Sequence, residues 1–233
     1  MATRYNSQIV KDGLVMYLDA GNLKSYPSGG ATTYDLTGTV GSFSGNASYI
    51  NTTTGFVSGA SWSSGTTSIL NTDVHSIFFR VRFNSNGTYP NGTTGNWEKI
   101  FTYNPSGTDR SPGIWRWPSN RWIHWRYDPG NSGCDFGKAS TSLDTGNEFN
   151  LNTWYYVGVT KNGGSTVMYV NGIRIGTGSV SNPKTSGTAA ITLMESYTNP
   201  LCNIDQVKIY NRIISDTEVN RNYNALKSKF GLT

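Results

Sequence analysis

A chain of 233 residues, 36% hydrophobic and 14% charged, has the length for one large domain around one core. Its 27 glycines argue against a helical bundle, while seven Trp, 14 Tyr and nine Phe need burial and argue against disorder. The formal net charge of +5 is a modest excess that suits an acidic partner surface, but no Lys/Arg run gives it a nucleic-acid footprint.

Residues 1–12 are polar and carry little pattern, as an arm does that orders only against a partner. Gly13 to Asp19 is the first predicted strand, and Tyr26-Pro27-Ser28-Gly29-Gly30 is a turn cluster. From Thr37 to Thr67 small polar residues dominate, and only short strands near Ser48–Ile50 and Gly55–Val57 are predicted. Val74 to Phe83 alternates: Ile77, Phe79, Val81 and Phe83 on one face, Phe78, Arg80 and Arg82 on the other. That pattern predicts a strand with one buried and one wetter face. Asn84 to Asn96 is a loop, and Trp97 to Tyr103 is another strand.

Two aromatic runs follow, Ile114-Trp115-Arg116-Trp117 and Arg121-Trp122-Ile123-His124-Trp125-Arg126-Tyr127. The Pro118-Ser119-Asn120 turn between them predicts a hairpin. Thr153–Thr160 and Thr166–Val170 are strands, and Asn171-Gly172 predicts a type I′ turn that leads into Ile173 and Ile175. Ala189–Leu193 and a run holding Ile204, Val207 and Ile209 complete the strands. Ser215-Asp216-Thr217-Glu218 is a capping box, and Val219, Tyr223, Leu226 and Phe230 form one apolar stripe. Lys227 and Lys229 suit the last turn of this helix, residues 216–230, and Gly231 is placed to end it. Strands recurring about every ten residues predict an all-β, antiparallel two-sheet sandwich over residues 13–233, closed by that short helix.

Three stretches carry a resemblance. Ile204-Asp205-Gln206-Val207-Lys208-Ile209-Tyr210-Asn211-Arg212 before a Ser-led acidic helix resembles the closing motif of laminin-G-like jelly rolls of the concanavalin A-like lectin/glucanase superfamily. Gly13-Leu14-Val15-Met16-Tyr17-Leu18-Asp19-Ala20-Gly21-Asn22 with Tyr34-Asp35-Leu36-Thr37-Gly38 is similar to that family's opening strand and the loop after it. Trp154 to Thr160 with Val167 to Gly172 is similar to its central hairpin pair. The resemblance implies a jelly roll and says little of function. Thr39-Val40-Gly41-Ser42 departs from the family's usual Asn/Gly-rich loop, which puts any cation site of that loop in doubt. The opening, ending in Asp-Ala-Gly-Asn, also resembles bacteriophage virion proteins.

Chemistry finds little to work with. Retaining hydrolysis needs two carboxyls about 5–5.5 Å apart. The four glutamates, Glu98, Glu148, Glu195 and Glu218, do not form the Glu-x-Asp-x-x-Glu strand motif of hydrolytic relatives. His75 and His124 are the only histidines, and no Gly-x-Ser-x-Gly elbow accompanies them. Neither metal nor cofactor is expected; Asp19, Asp35 and Asp205 are the oxygen ligands a calcium ion would use, and for Asp205 bonding to neighbouring backbone amides is the favoured role. Cys134 and Cys202 read as reduced, partly buried thiols or as one disulfide. Asn46, Asn51, Asn86 and Asn91 stand in Asn-x-Ser/Thr sequons, which matter only in a secretory pathway.

The hairpin supplies the candidate contact residues: Trp115, Trp117, Trp122, His124, Trp125, Arg126 and Tyr127. Flat aromatic rings stack on sugar C–H groups, and Arg bonds hydroxyls or carboxylates as a fork. The same residues also suit a sandwich core or a subunit interface. With no apolar h-region and no apolar run of about 20 residues, neither signal peptide nor membrane span is expected. The reading is a non-enzymatic virion structural protein, such as a capsid decoration, head-fibre or tail-fibre subunit, assembled in a host cytoplasm. It would bind other virion proteins through residues 1–12 or the hairpin, form a homo-oligomer and contact host carbohydrate. The alternative is a carbohydrate-binding module of a bacterial or secreted protein.

Overall fold

The computed structural model describes residues 9–27, 30–45, 50–51, 55–57, 61–85, 97–105, 111–117, 120–127, 132–137, 149–180, 187–195 and 202–227. Its strands are β1 (Leu14–Asp19), β2 (Thr32–Tyr34), β3 (Ser42–Ser44), β4 (Ile50–Asn51), β5 (Gly55–Val57), β6 (Trp62–Thr67), β7 (Val74–Phe83) and β8 (Glu98–Tyr103). They continue as β9 (Gly113–Arg116), β10 (Ile123–Tyr127), β11 (Ser132–Phe136), β12 (Trp154–Asn162), β13 (Ser165–Val170), β14 (Ile173–Ser179), β15 (Ala189–Leu193) and β16 (Cys202–Tyr210), before helix α1 (Asp216–Lys227). Among the described residues these form two eight-stranded sheets. The first runs β14-β13-β12-β7-β16-β5-β4, with β1 also on β16; the second runs β11-β10-β9-β8-β15-β6-β3-β2. Neighbouring strands are antiparallel, as predicted.

The core lies between the sheets. Ile77, Phe79, Val81 and Phe83 of β7 point into it, with Ile123, Trp125 and Tyr127 of β10 opposite. The Phe79 and Trp125 rings stack across the interface with centroids 5.6 Å apart. Each buried aromatic side chain of this kind contributes on the order of 2–3 kcal/mol by leaving water.

The second face of β7 is covered from Ser76 to Arg80, and only its ends, Val74 and Arg82, are half-buried. Phe78 packs with Tyr156, Tyr169 and Tyr210 beneath Ile214, Val219, Tyr223 and Leu226, so the helix and its approach cover this side of the first sheet. Arg80 is fully buried there and donates to Asp205 at 2.5 Å. The expectation of a wetter face holds only at those ends, because alternation reports only that two faces differ. It cannot say that a terminal helix returns to cover the second one.

The spacing within β16 explains how Asp205 reaches Arg80. Ile204 pairs with Val81 and Val207 with Phe79, with a break in register between them. Ile204 and Val207 both enter the core although three positions apart, which regular alternation forbids. A β-bulge at Asp205-Gln206 absorbs the extra residue and leaves two residues opposite Arg80.

The helix starts as its capping box predicts. The Glu218 backbone N–H donates to Ser215 Oγ at 3.3 Å, and the Ser215 N–H donates to Glu218 Oε2 at 2.8 Å. Val219, Tyr223 and Leu226 are buried, as the stripe requires; Phe230, Lys229 and Gly231 lie outside the described residues. The expected arm at residues 1–12 ends inside the domain, since Ile9 and Val10 are buried. Asn222 and Tyr210 hold that end. The Val10 N–H donates to Asn222 Oδ1 at 2.8 Å, and the Tyr210 hydroxyl donates to the Val10 carbonyl at 3.1 Å. Residues 1–8 lie outside the described residues.

Asn171 and Gly172 have φ of 50° and 79°, the two left-handed residues of the predicted turn. A Cβ at Gly172 would stand 2.9 Å from Tyr223, so the turn also seats the helix. Strands β2, β3, β6 and β11 were not predicted. Trp62–Thr67 has one large side chain among small polar ones and becomes a strand by pairing with β15 and β3.

Candidate functional site

The predicted hairpin forms as β9 and β10, paired in the register Ile123↔Arg116, His124↔Trp115 and Trp125↔Ile114. That register sorts the seven candidate residues. Trp125 and Tyr127 point inward, fully buried and 3% exposed, and are core residues. The Tyr127 hydroxyl reaches His75 Nε2 of β7 at 3.0 Å, a bond between the two sheets. These two leave the candidate surface because alternation along β10 turns them toward β7.

Trp115, Trp117, Trp122, His124 and Arg126 belong to the outer side of the second sheet, grouped around His124. The Trp117 centroid lies 5.4 Å from His124 and that of Trp115 6.1 Å. Trp122 meets Trp117 edge-on at 5.5 Å. Two further members were missed from sequence. Trp97, 38% exposed just before β8, brings its ring within 4.7 Å of both Trp117 and His124. Asp135 on β11 pairs across from His124. Trp97 was visible as another Trp in an aromatic chain. Asp135 sits in a Gly-punctuated stretch with no periodic signal of its own.

Beneath the rings runs a charged row. His124 Nδ1 donates to Asp135 Oδ1 at 2.8 Å, and Arg126 donates to Asp135 Oδ2 at 2.9 Å. Burial pushes the Asp135 carboxyl up, but the hydrogen bonds from His124 and Arg126 outweigh it and hold it down to about 2. The other Arg126 nitrogen donates to the Trp125 and Cys134 carbonyls, each at 2.9 Å. On the same face Lys99, which pairs with Trp115, reaches Glu195 at 3.0 Å. Arg121 donates to the Phe149 carbonyl.

The remaining candidate chemistry is engaged elsewhere. Glu98 is buried near Arg116 at 3.8 Å and near Cys202 Sγ, also at 3.8 Å; Glu218 caps α1; Glu148 lies outside the described residues. Cys134 and Cys202 are both free and buried, and burial pushes the Cys134 thiol up to about 12. Asp35 accepts the Tyr17, Thr37 and Val40 N–H groups at 2.8, 3.0 and 3.0 Å. Asp19 accepts the Gly21 N–H and the Tyr17 hydroxyl at 3.0 and 2.9 Å. Asp205 bonds the Arg80 side chain, where backbone amides were the expected partners, because the bulge turns it toward β7. Among the described residues no three His, Cys, Asp or Glu side chains gather as a metal site.

The family profile Laminin_G_3, described as the concanavalin A-like lectin/glucanases superfamily, matches residues 70–220. The chain belongs to this superfamily. The matched span runs from the entrance of β7 into α1 and so includes the whole aromatic hairpin. Similar solved structures place the superfamily fold in larger proteins. A Trypanosoma rangeli sialidase in complex with sialic acid is 13% identical with a TM-score of 0.61, over 95% of this chain and 34% of that one. The botulinum neurotoxin serotype D binding domain is 15% identical with a TM-score of 0.67, over 91% of this chain and 52% of that one. This lectin/glucanase-type chain thus spans about a third of the sialidase and about half of the toxin domain. At such identities the likeness is one of fold. A search of curated protein sequences found no match.

Proposed function

We propose that this chain is a non-enzymatic attachment protein of a phage particle surface that contacts host glycans through the outer face of its second sheet. One observation carries the glycan reading: Trp97, Trp117 and Trp122 stand together, partly exposed, on a sheet face with His124 and Asp135 in hydrogen-bonded support. Sugar C–H groups stack on such rings, and rings held from below lose little entropy on binding. The sialidase structure with sialic acid and the toxin binding domain, both of this fold, support a binding role. Turnover is disfavoured because Glu98, Glu195 and Glu218 are each engaged with a cation.

The particle-surface reading rests on the opening Leu14 to Asn22, similar to that of phage virion proteins, and on the placement of two faces. Ile9, Val10 and α1 lie against the outer side of the first sheet, and the aromatic face belongs to the second. Docking through the residues before Ile9 would leave the aromatic face outward, in a homo-oligomer as well as in a monomer. The alternative, a carbohydrate-binding module of a bacterial or secreted protein, uses the same face without the particle.

Mass spectrometry of purified virions with copy-number counting tests the first half: a stoichiometric chain is expected, and its absence overturns the virion role. Glycan-array binding by wild-type and Trp117→Ala/Trp122→Ala protein tests the second. Signal lost in a folded variant is expected, and unchanged binding overturns this site.

A further inference from the structure

We infer that the aromatic face takes a short segment of a neutral, soluble oligosaccharide, in preference to an acidic sugar or the flat surface of a crystalline polysaccharide. This rests on the glycan-contact reading and adds the class of ligand. Charge decides the first half. A carboxylate or sulfate sugar needs a cation with N–H groups to spare. Arg126, with its side chain only 11% exposed, spends one nitrogen on the Trp125 and Cys134 carbonyls and another on Asp135. Lys99 is held by Glu195, and His124 gives Nδ1 to Asp135. Arg126 and Lys99 are thus each matched by a carboxylate of the chain itself, and Arg121 spends its Nε on the Phe149 carbonyl. A sugar acid would have to displace Asp135 or Glu195, or meet their negative charge.

Ring geometry decides the second half. Trp97 and Trp117 are inclined by 45° with centroids 4.7 Å apart, and Trp117 and Trp122 by 78° at 5.5 Å. Rings so inclined cannot all lie flat on one plane of packed chains. They can wrap the C–H faces of one short segment that enters from solvent. Their close spacing limits the grip to a few sugar units, and the uncharged contact makes affinity insensitive to salt.

The test uses the full chain against immobilised neutral oligosaccharides, their sialylated and sulfated counterparts, and microcrystalline cellulose, at 50 and 500 mM NaCl. The expected result is saturable binding to at least one neutral oligosaccharide, altered less than twofold by salt. Sialylation or sulfation of the contacted unit should weaken it tenfold or more, and cellulose should retain nothing. Trp97→Ala should lose at least tenfold in affinity while still unfolding in one cooperative transition; its ring packs on His124 and Trp117, so a modest fall in melting temperature accompanies the loss. Preference for the acidic counterpart, binding abolished by salt, or retention on cellulose would overturn the inference while leaving glycan contact standing. No binding to any glycan in the set would overturn both.

Discussion

His124 and Asp135 face each other across β10 and β11, joined by a 2.8 Å hydrogen bond, with three tryptophans, Trp97, Trp115 and Trp117, packed around the His124 ring. The pair sets the ring plane of His124, and Trp97 and Trp117 pack on that ring. Replacing Asp135 by Asn keeps the shape and removes the charge that His124 and Arg126 share. The expected cost is about 1.5–3 kcal/mol in urea unfolding, with a shift in tryptophan emission. The Asp135 carboxyl is lowered from its ordinary value to about 2, so its stabilisation is present above about pH 4 and is lost as pH falls through 2. An unchanged emission spectrum in Asp135→Asn would mean that the pair does not position the rings.

Arg80 and Asp205 make the second polar pair, on the other sheet. Arg80 is fully buried and its guanidinium lies 4.7 Å from the Trp154 ring centroid. Asp205→Asn would leave that cation buried without its carboxylate, an expected loss of about 3–5 kcal/mol by denaturant titration. The double change Arg80→Met/Asp205→Leu should recover much of it, because it removes both charges together.

His75 predicts an acid-sensitive window. Burial first, and then nearby Lys161, lower its pKa from 6.5 to about 3. Between those values the unfolded chain binds a proton that the folded chain refuses. Stability contributed by neutral His75 is therefore complete above about pH 6.5 and declines toward pH 3, by up to about 1.4 kcal/mol per unit. Urea midpoints at pH 7, 5 and 4 should fall more steeply for wild-type than for His75→Gln. Parallel declines would show that His75 titrates alike in both states.

Gly158 lies opposite Phe78 on β7, and a Cβ there would stand 2.0 Å from the Phe78 ring. Gly158→Ala must push that ring into Tyr156 and Tyr169, which it contacts at 5.3 and 5.8 Å between centroids. The expected cost is about 1–3 kcal/mol. In a Phe78→Ala background the same substitution should cost much less, and a double-mutant cycle measures the difference.

At α1, Ser215→Ala removes one half of the capping box. About 1 kcal/mol of stability should be lost, read as a lower melting temperature. Glu218, held down to about 2 chiefly by hydrogen bonding to Arg212, keeps its half of the cap until pH falls well below its ordinary range.

By itself the sequence determined β7, the aromatic hairpin, the turn at Asn171-Gly172 and the start of α1. Each rests on a local rule: alternation of two, steps of three and four, positive φ, or a reciprocal cap. Alternation along β10 is also a property of the strand, and puts Ile123, Trp125 and Tyr127 on one face and His124 and Arg126 on the other. Only the tertiary structure decided which face looks inward, so that Trp125 joined the core while Trp122 and His124 stayed outside. Trp62–Thr67 and Ser132–Phe136 became strands through neighbours far away in the chain, and with the second of them came Asp135. Small polar residues carry no hydrophobic period, so their pairing partners set their conformation, and those partners meet only when the two sheets close over one core.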